Sequence, residues 1–267
     1  MTPFFTIIVV SLNAETTIGK TIQSILTQTF GNYEIVVKDG NSRDSTVSQV
    51  PPSDKIRIHQ SGDSGIYDAM NQAIQLSTGQ YLCFLNCGDV FASNDVLQKV
   101  FDGITKQLLI CHPIVAYSDY RRNGIVFRSP RKMSDFYLYR TPLNHQTMFV
   151  AKEIFAKHGM FTTTLAILAD HELTMRLYKA KVHFLYVDVV SCDYLGGGMS
   201  ELQTNYAKLR RESAQIRGRY FSRVQLVVYG LVILLSAQKV REWIISDSSP
   251  KLLRVAYRGV VNIINRL

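Results

Sequence analysis

The sequence predicts an α/β domain built on a mostly parallel sheet flanked by helices, followed by a basic helical tail. Three observations predict it. Short β-branched runs alternate with amphipathic stretches at the pitch of a strand and its crossover helix, the pattern of a parallel sheet with right-handed connections. The apolar runs end abruptly in polar clusters, and the carboxyl ends of strands are where open α/β sheets hold ligands. Charge is segregated: residues 1–200 carry 18 Lys/Arg against 17 Asp/Glu, whereas residues 201–267 carry 12 against 4. The chain is expected to divide into a domain over 1–220 and a basic amphipathic tail over 221–267.

The elements follow in order. Phe5 to Val10 is a β-branched run suited to a central strand. Asn13 to Thr17 can cap the next helix, whose Ile18, Ile22, Ile25 and Leu26 share a face. Tyr33 to Val37 is a second strand, broken by the turn signal Lys38-Asp39-Gly40-Asn41. Asp44-Ser45-Thr46 opens a short helix, and Ile56 to Ile58 is a third strand. Ile66, Ala69, Met70, Ala73 and Ile74 then fall on one helix face, with Ser64 as the expected N-cap and Gly79 as the expected helix stop. Tyr81 to Leu85 reads as a strand buried on both faces, and it delivers Asn86-Cys87-Gly88-Asp89 at its end.

Further along, the pattern weakens to candidate strands at Leu108–Cys111, Ile114–Ser118 and Ile125–Arg128. Thr147 to Val150 reads as a strand, Lys152 to Lys157 and Asp170 to Ala180 as helices, and Val182 to Val190 as a strand closed by Gly196-Gly197-Gly198. Glu201 to Arg219 is a polar, mostly basic helix. Val224 to Leu235 is apolar almost all round but shorter than the ~18–20 residues a bilayer span needs, so it reads as a buried helix or an interfacial segment. Leu253, Tyr257, Val260, Ile264 and Leu267 form an apolar seam beside Lys251, Arg254, Arg258 and Arg266, the pattern of a basic amphipathic helix.

A hydrophobic content of 46% supports a packed core and excludes a disordered or collagen-like chain. Cys83, Cys87, Cys111 and Cys192 lack metal-finger spacing, so they are expected to be free thiols in a reducing compartment. Residues 1–15 lack the basic start and long apolar run of a secretory signal. The basic tail has neither aromatic interleaving nor a nucleic-acid module, so nucleic acid is not its expected partner; its pattern suits an anionic membrane surface or packing on the domain or on a second subunit.

The order of motifs carries more than any one of them. V-V-S-L-N-A-E, I-V-V-K-D-G-N-S-R-D-S-T, D-S-G-I-Y-D-A-M-N, F-L-N-C-G-D, N-H-Q-T-M-F, L-A-D-H-E-L and G-G-G-M-S occur in that order. Together they resemble family 2 inverting glycosyltransferases with the GT-A fold, a Rossmann-like architecture, and more narrowly the bacterial transferases of O-antigen and colanic-acid assembly. The resemblance covers roughly residues 5–200.

It implies transfer of a sugar, with inversion, from a nucleotide-diphosphate sugar (a UDP-sugar by expectation) to a hydroxyl of a lipid-linked saccharide. It also implies a cytoplasmic enzyme, peripheral on the inner face of the cell membrane. Such chemistry needs a base for the hydroxyl proton, a counter-charge for the leaving diphosphate, and a nucleotide pocket. The resemblance places Ser11, Asn13 and Asp39 at the base and ribose, although a turn explains Asp39 and a helix cap explains Asn13. It places Asp63, Gly65 and Asp68 on the donor-sugar wall, where Asp68 also suits a first-turn carboxylate.

The family holds Mg²⁺ or Mn²⁺ with a D-x-D motif. This chain has Asn86 and Gly88 in the acidic positions, which leaves Asp89 as the expected metal ligand and Asn86 as a donor contact. Asp170 aligns with the catalytic base, with Glu172 as the neighbouring alternative. His145 and Gln146 are expected to contact acceptor or phosphate. A non-catalytic nucleotide-sugar-binding relative is the competing reading, and an oligomer built through the tail stays open.

Overall fold

A computed structural model describes residues 2–108 and 114–236. Cys111 and the seam from Leu253 to Leu267 lie outside the described residues. The described chain divides into two compact units. The first holds residues up to Lys132 and Pro142–Glu212; the second holds Met133–Thr141 and the chain from Ser213 onward.

The first unit opens with β1 (Phe5–Ser11), α1 (Ile18–Leu26), β2 (Tyr33–Asp39), β3 (Ile56–Gln60), α2 (Ile66–Leu76) and β4 (Tyr81–Phe84). These four strands pair in parallel, in the order β3-β2-β1-β4. Ile7, Ile8, Val9, Ile35, Val36, Val37, Leu82 and Cys83 are buried between the helical layers. Each such aliphatic side chain contributes about 1.5–3 kcal/mol when fully buried.

The second half brings β5 (Val90–Phe91), α3 (Val96–Leu108), β6 (Ile114–Arg122), β7 (Ile125–Phe127) and β8 (Met148–Ala151). It closes with α5 (Lys152–His158), α6 (Ala169–Lys179) and β9 (His183–Asp193). Here β8 runs antiparallel between β4 and β6, while β9 lies parallel to β6. The parallel run therefore stops at β4, and β8 sets Asn144, His145 and Gln146 beside the end of β4.

Several local expectations are corrected. Gly65, not Ser64, occupies the N-cap of α2 at φ 132°, and Ser64 instead donates its N–H and hydroxyl to Asp68. Helix α2 ends at Leu76 before Gly79 is reached. Gly79 is needed for close approach: a Cβ there would lie 2.6 Å from the backbone nitrogen of Thr6. Leu108 closes α3 and does not open a strand. Asn13 does not cap α1; it sits at φ 50° and accepts the N–H of Arg43. The basic helix starts at Tyr206, because Glu201 is committed to Arg122, Tyr194 and the Gly197 N–H.

The second unit contains α4 (Asp135–Arg140), the later turns of α7 (Tyr206–Tyr220) and α8 (Arg223–Ser236). Phe136, Tyr139, Phe221 and Tyr229 pack their rings at 5.2–5.8 Å, and the Arg217 guanidinium lies 4.5 Å over Tyr139. Helix α8 is not a buried helix. Val224, Val227, Val228, Leu231 and Leu234 are exposed, and Val232 is its buried residue.

Candidate active site

Strands β4, β6 and β9 and the starts of α2 and α6 surround a pocket of about 330 Å³. Its wall includes Tyr67, Asn86, Asp89, His145, Gln146 and Asp170. Thus five of the residues singled out in the sequence meet in one cavity. A larger groove of about 790 Å³ between Ile74, Tyr81, Ala151 and Phe155 holds none of them, and its lining is mostly apolar.

Asp170 stands in the first turn of α6, where a carboxylate favours the helix dipole. Its Oδ2 accepts from His145 Nδ1 at 3.0 Å. Its Oδ1 accepts the His171 N–H at 2.8 Å and faces the Tyr67 hydroxyl at 3.1 Å. A carboxylate offers about four lone-pair sites, so one on Oδ2 remains for a substrate hydroxyl. Burial pushes the Asp170 carboxyl up, but the hydrogen bond and charge of His145 and the His171 N–H outweigh it and hold the group below its usual range. His145 continues the chain, its Nε2 lying 2.9 Å from Asn86 Nδ2. Glu172 is turned elsewhere, accepting from Thr162 and Arg176.

Asp89 is more enclosed, with 4% exposure. Its Oδ2 accepts from Gln146 Nε2 and its Oδ1 from the Leu195 N–H, each at 2.9 Å. Burial dominates here and raises its carboxyl above the usual range. Gln146 is thereby a partner of Asp89. Asn86 Oδ1 is buried without a hydrogen-bond partner. Among the described residues no three His, Cys, Asp or Glu side chains gather as a metal cluster.

The remaining expected contacts form two groups away from this wall. Ser11 and Asp39 meet at the carboxyl ends of β1 and β2, 3.0 Å apart. The Asp39 carboxylate has no exposed surface and also accepts from the Ser42 N–H and hydroxyl, which hold it low against burial. Asn13 joins the group by donating its N–H to Ser42 Oγ. Asp63 is paired with the fully buried Lys38 at 3.0 Å and accepts the Gly65 N–H. Asp68 serves Ser64 and Gln72. Asp63, Gly65 and Asp68 are not among the residues lining this pocket, and both Asp63 oxygens and Asp68 Oδ2 are bonded within or beside the loop leading into α2.

Residues 6–162 match the family model described as glycosyl transferase family 2. The chain belongs to that family. It is 29% identical over 206 residues to a PGL/p-HBAD biosynthesis glycosyltransferase of Mycobacterium tuberculosis, covering 73% of this chain and 78% of that one. It is 33% identical over 133 residues to the Escherichia coli UDP-Glc:alpha-D-GlcNAc-diphosphoundecaprenol beta-1,3-glucosyltransferase WfgD, covering 48% of this chain and 52% of that one.

Staphylococcus aureus TarS 1-349 in complex with UDP-GlcNAc superposes with a TM-score of 0.63 at 19% identity, over 90% of this chain and 78% of that one. The Pyrobaculum calidifontis mannosyltransferase PcManGT, in complex with GDP-Man and Mn²⁺, gives 0.58 at 17% identity, over 99% and 87%. These superpositions bear out the GT-A fold. Membership of the family makes the chain a glycosyltransferase by class.

Three parts of the transferase's site escaped the sequence reading. Tyr67 and Asn71 lie inside the D-S-G-I-Y-D-A-M-N motif, yet only its acids and glycine drew attention. Asn71 clasps the loop before α6 by a reciprocal pair with the Phe161 backbone, both bonds 2.9 Å. Glu212 accepts the N–H groups of Ala166, Ile167 and Leu168 at 2.8–3.0 Å. The available signal was its being the lone acid of a basic helix.

Proposed function

We propose that the transferase moves a sugar from a nucleotide-diphosphate sugar, most simply a UDP-sugar, to a hydroxyl of a lipid-linked saccharide with inversion at the anomeric carbon. The observation that carries this reading is Asp170, a partly buried carboxylate that His145 and the His171 N–H favour as the anion, with one lone pair left toward a cavity that Asn86 and Asp89 also line. The acceptor oxygen forms the new bond to the anomeric carbon as its proton passes to Asp170. The bond from that carbon to the phosphate oxygen breaks, and its electron pair leaves on the nucleotide diphosphate. His145 fixes the carboxylate's orientation for this step. The UDP-sugar donor and diphospholipid acceptor in WfgD's own name support the same substrate classes here.

A divalent cation, Mg²⁺ or Mn²⁺, fits the donor set. Asp89 has spare lone pairs despite its two bonds, and the orphaned Asn86 Oδ1 supplies a second hard oxygen. Mg²⁺ is often held by one or two carboxylates plus substrate phosphates and water. When bound, the cation would neutralise charge on the leaving diphosphate. Ser11, Asn13 and Asp39 are proposed for the nucleotide site, where the Asp39 carboxylate, covered in this structure, orients Ser11 and Ser42.

For location we propose peripheral attachment at the inner membrane face. The exposed apolar residues of α8 and the excess of Lys/Arg beyond residue 200 support it. Among the described residues no helix is long and apolar enough to cross a bilayer. The competing reading, a nucleotide-sugar binder without turnover, draws on Asn86 and Gly88 in place of acids. Release of UDP or GDP from a panel of nucleotide sugars, with a polyprenyl-diphosphate saccharide and with or without EDTA, separates the two. Turnover abolished by EDTA supports the metal-dependent enzyme, and donor binding by calorimetry with no turnover overturns it.

A further inference from the structure

Tyr67 is buried, its ring packed against Phe161 at 5.5 Å, and its hydroxyl faces two acceptors with a single proton. The Ile167 carbonyl lies at 2.6 Å and Asp170 Oδ1 at 3.1 Å. Ile167 cannot drift away, because Glu212 takes its N–H at 3.0 Å and those of its two neighbours. One acceptor is thus permanently neutral and fixed, and the other carries the charge that the proposed reaction would cancel.

We propose that Tyr67 is a positioning residue whose hydroxyl proton follows the charge of Asp170, directed at the carboxylate while it is ionised and at the Ile167 carbonyl once it is protonated. This rests on the reading of Asp170 as the base. The physical ground is that a hydrogen bond to an ionised acceptor is roughly twice as strong as one to a neutral group. With a carboxylate at Oδ1, the charge outweighs the shorter path to Ile167. Once the acceptor's proton sits on the free lone pair of Oδ2, Oδ1 is an uncharged carbonyl oxygen and the closer Ile167 wins.

No covalent bond of Tyr67 is made or broken; its O–H only rotates. A donor fixed on Asp170 would resist the incoming proton throughout. A donor with a second acceptor withdraws that resistance as the proton arrives, and it is never left unpaired in the buried site. Burial and the Asp170 charge keep the phenol protonated, so it remains a donor. The other titratable groups facing this pair are His145, His171 and Glu212.

The test needs no substrate. In full-length protein carrying ¹³C-carboxyl aspartate, the Asp170 resonance is assigned by its absence from Asp170→Asn and titrated with pH in EDTA. Tyr67→Phe keeps the ring contact and removes the donor, so the Asp170 titration is expected to move to higher pH. A 3-fluorotyrosine at position 67 is an isosteric, stronger donor that preserves folding, and it is expected to move the titration to lower pH. Opposite shifts support the proposal. A titration unmoved by the fluorinated residue, or moved the same way by both replacements, overturns it. Turnover of nucleotide sugars by Asp170→Asn is scored separately: full activity there removes the base reading, whatever the titrations show.

Discussion

Asp170 and Asp89 line the same pocket, and both are carboxylates enclosed by protein, yet the structure drives them in opposite directions. Asp170 faces the Tyr67 hydroxyl and accepts from the His145 imidazole and the His171 N–H, and these last two overcome the cost of burial. Asp89 has two donors, an amide and a backbone N–H, and burial wins. Depth and donors act together here: Asp89 is the more enclosed and lacks a charged donor, while Asp170 keeps some exposure and has an imidazole beside it. Asp170 is poised as an anion before any ligand arrives. At Asp89 burial disfavours the anion, a cost that a positive charge close by would offset.

The largest expected effect comes from deleting the ready anion. Asp170→Asn should lower turnover by about 10²–10⁴-fold, the range typical of general acid–base groups, while calorimetric binding of the nucleotide sugar stays within a few-fold. Comparable loss of binding and turnover would break the comparison, because Asp170 would then act as a donor contact. Asp89→Asn should invert the pattern. Metal-dependent binding of UDP weakens in that variant, and the turnover that remains no longer responds to EDTA.

Next in size is the support behind Asp170. Glu212→Ala leaves three backbone N–H groups without their acceptor, at a cost of about 3 kcal/mol if each desolvated donor costs near the lower end of its range. Urea unfolding measures it. Turnover should fall as well, since Ile167 and the first turn of α6 lose their anchor, whereas UDP binding should hold. A variant as stable as the parent would show that this loop is pinned by Asn71 alone.

How much of this was legible beforehand follows from chain distance. Strands β1, β2 and β4 and helix α2 were readable because local periodicity dictates them, and Asp170 and Asp89 because motif order marks them. Glu212 was not, since its role exists only through backbone donors more than 40 residues earlier. Nor were the partners of Asp63 and Asp68 visible: which donors reach an acid in a polar loop depends on what the fold brings near, here Lys38 and Ser64. The antiparallel insertion of β8 was equally hidden, because its four residues alternate no differently from a parallel strand.

The two carboxylates also make a smaller, signed prediction for stability in acid, measured in EDTA. Asp170 has a folded pKa below its unfolded one, so its contribution is present above the unfolded value and is lost as pH falls through the folded value. Asp89 has a folded pKa above its unfolded one, so its contribution is present below the unfolded value and is lost as pH rises through the folded value. Relative to the parent, Asp170→Asn should therefore lose less stability on acidification, and Asp89→Asn should lose more. Parallel changes in the two variants' urea midpoints would contradict the opposed environments.

The smallest effect concerns the loop closing the pocket beside Asp89. Gly196 sits at φ 85°, and a Cβ there would lie 2.8 Å from an Arg122 guanidinium nitrogen. Arg122 is itself held by Glu201, which also takes the Gly197 N–H, so the loop is stapled to β6 through that contact. Gly196→Ala should cost about 1–2 kcal/mol for the left-handed backbone alone. Because Arg122 is a long side chain with its pair on the surface side, it can shift without unfolding the domain. The shift would pull on Leu195, whose N–H serves Asp89 Oδ1, and leave the bonds of Asp170 untouched. The variant should thus weaken metal-dependent UDP binding several-fold while the pH profile of turnover, set by Asp170, stays where it was. A moved pH profile would mean that the two carboxylates are coupled through the loop and are not separately tuned.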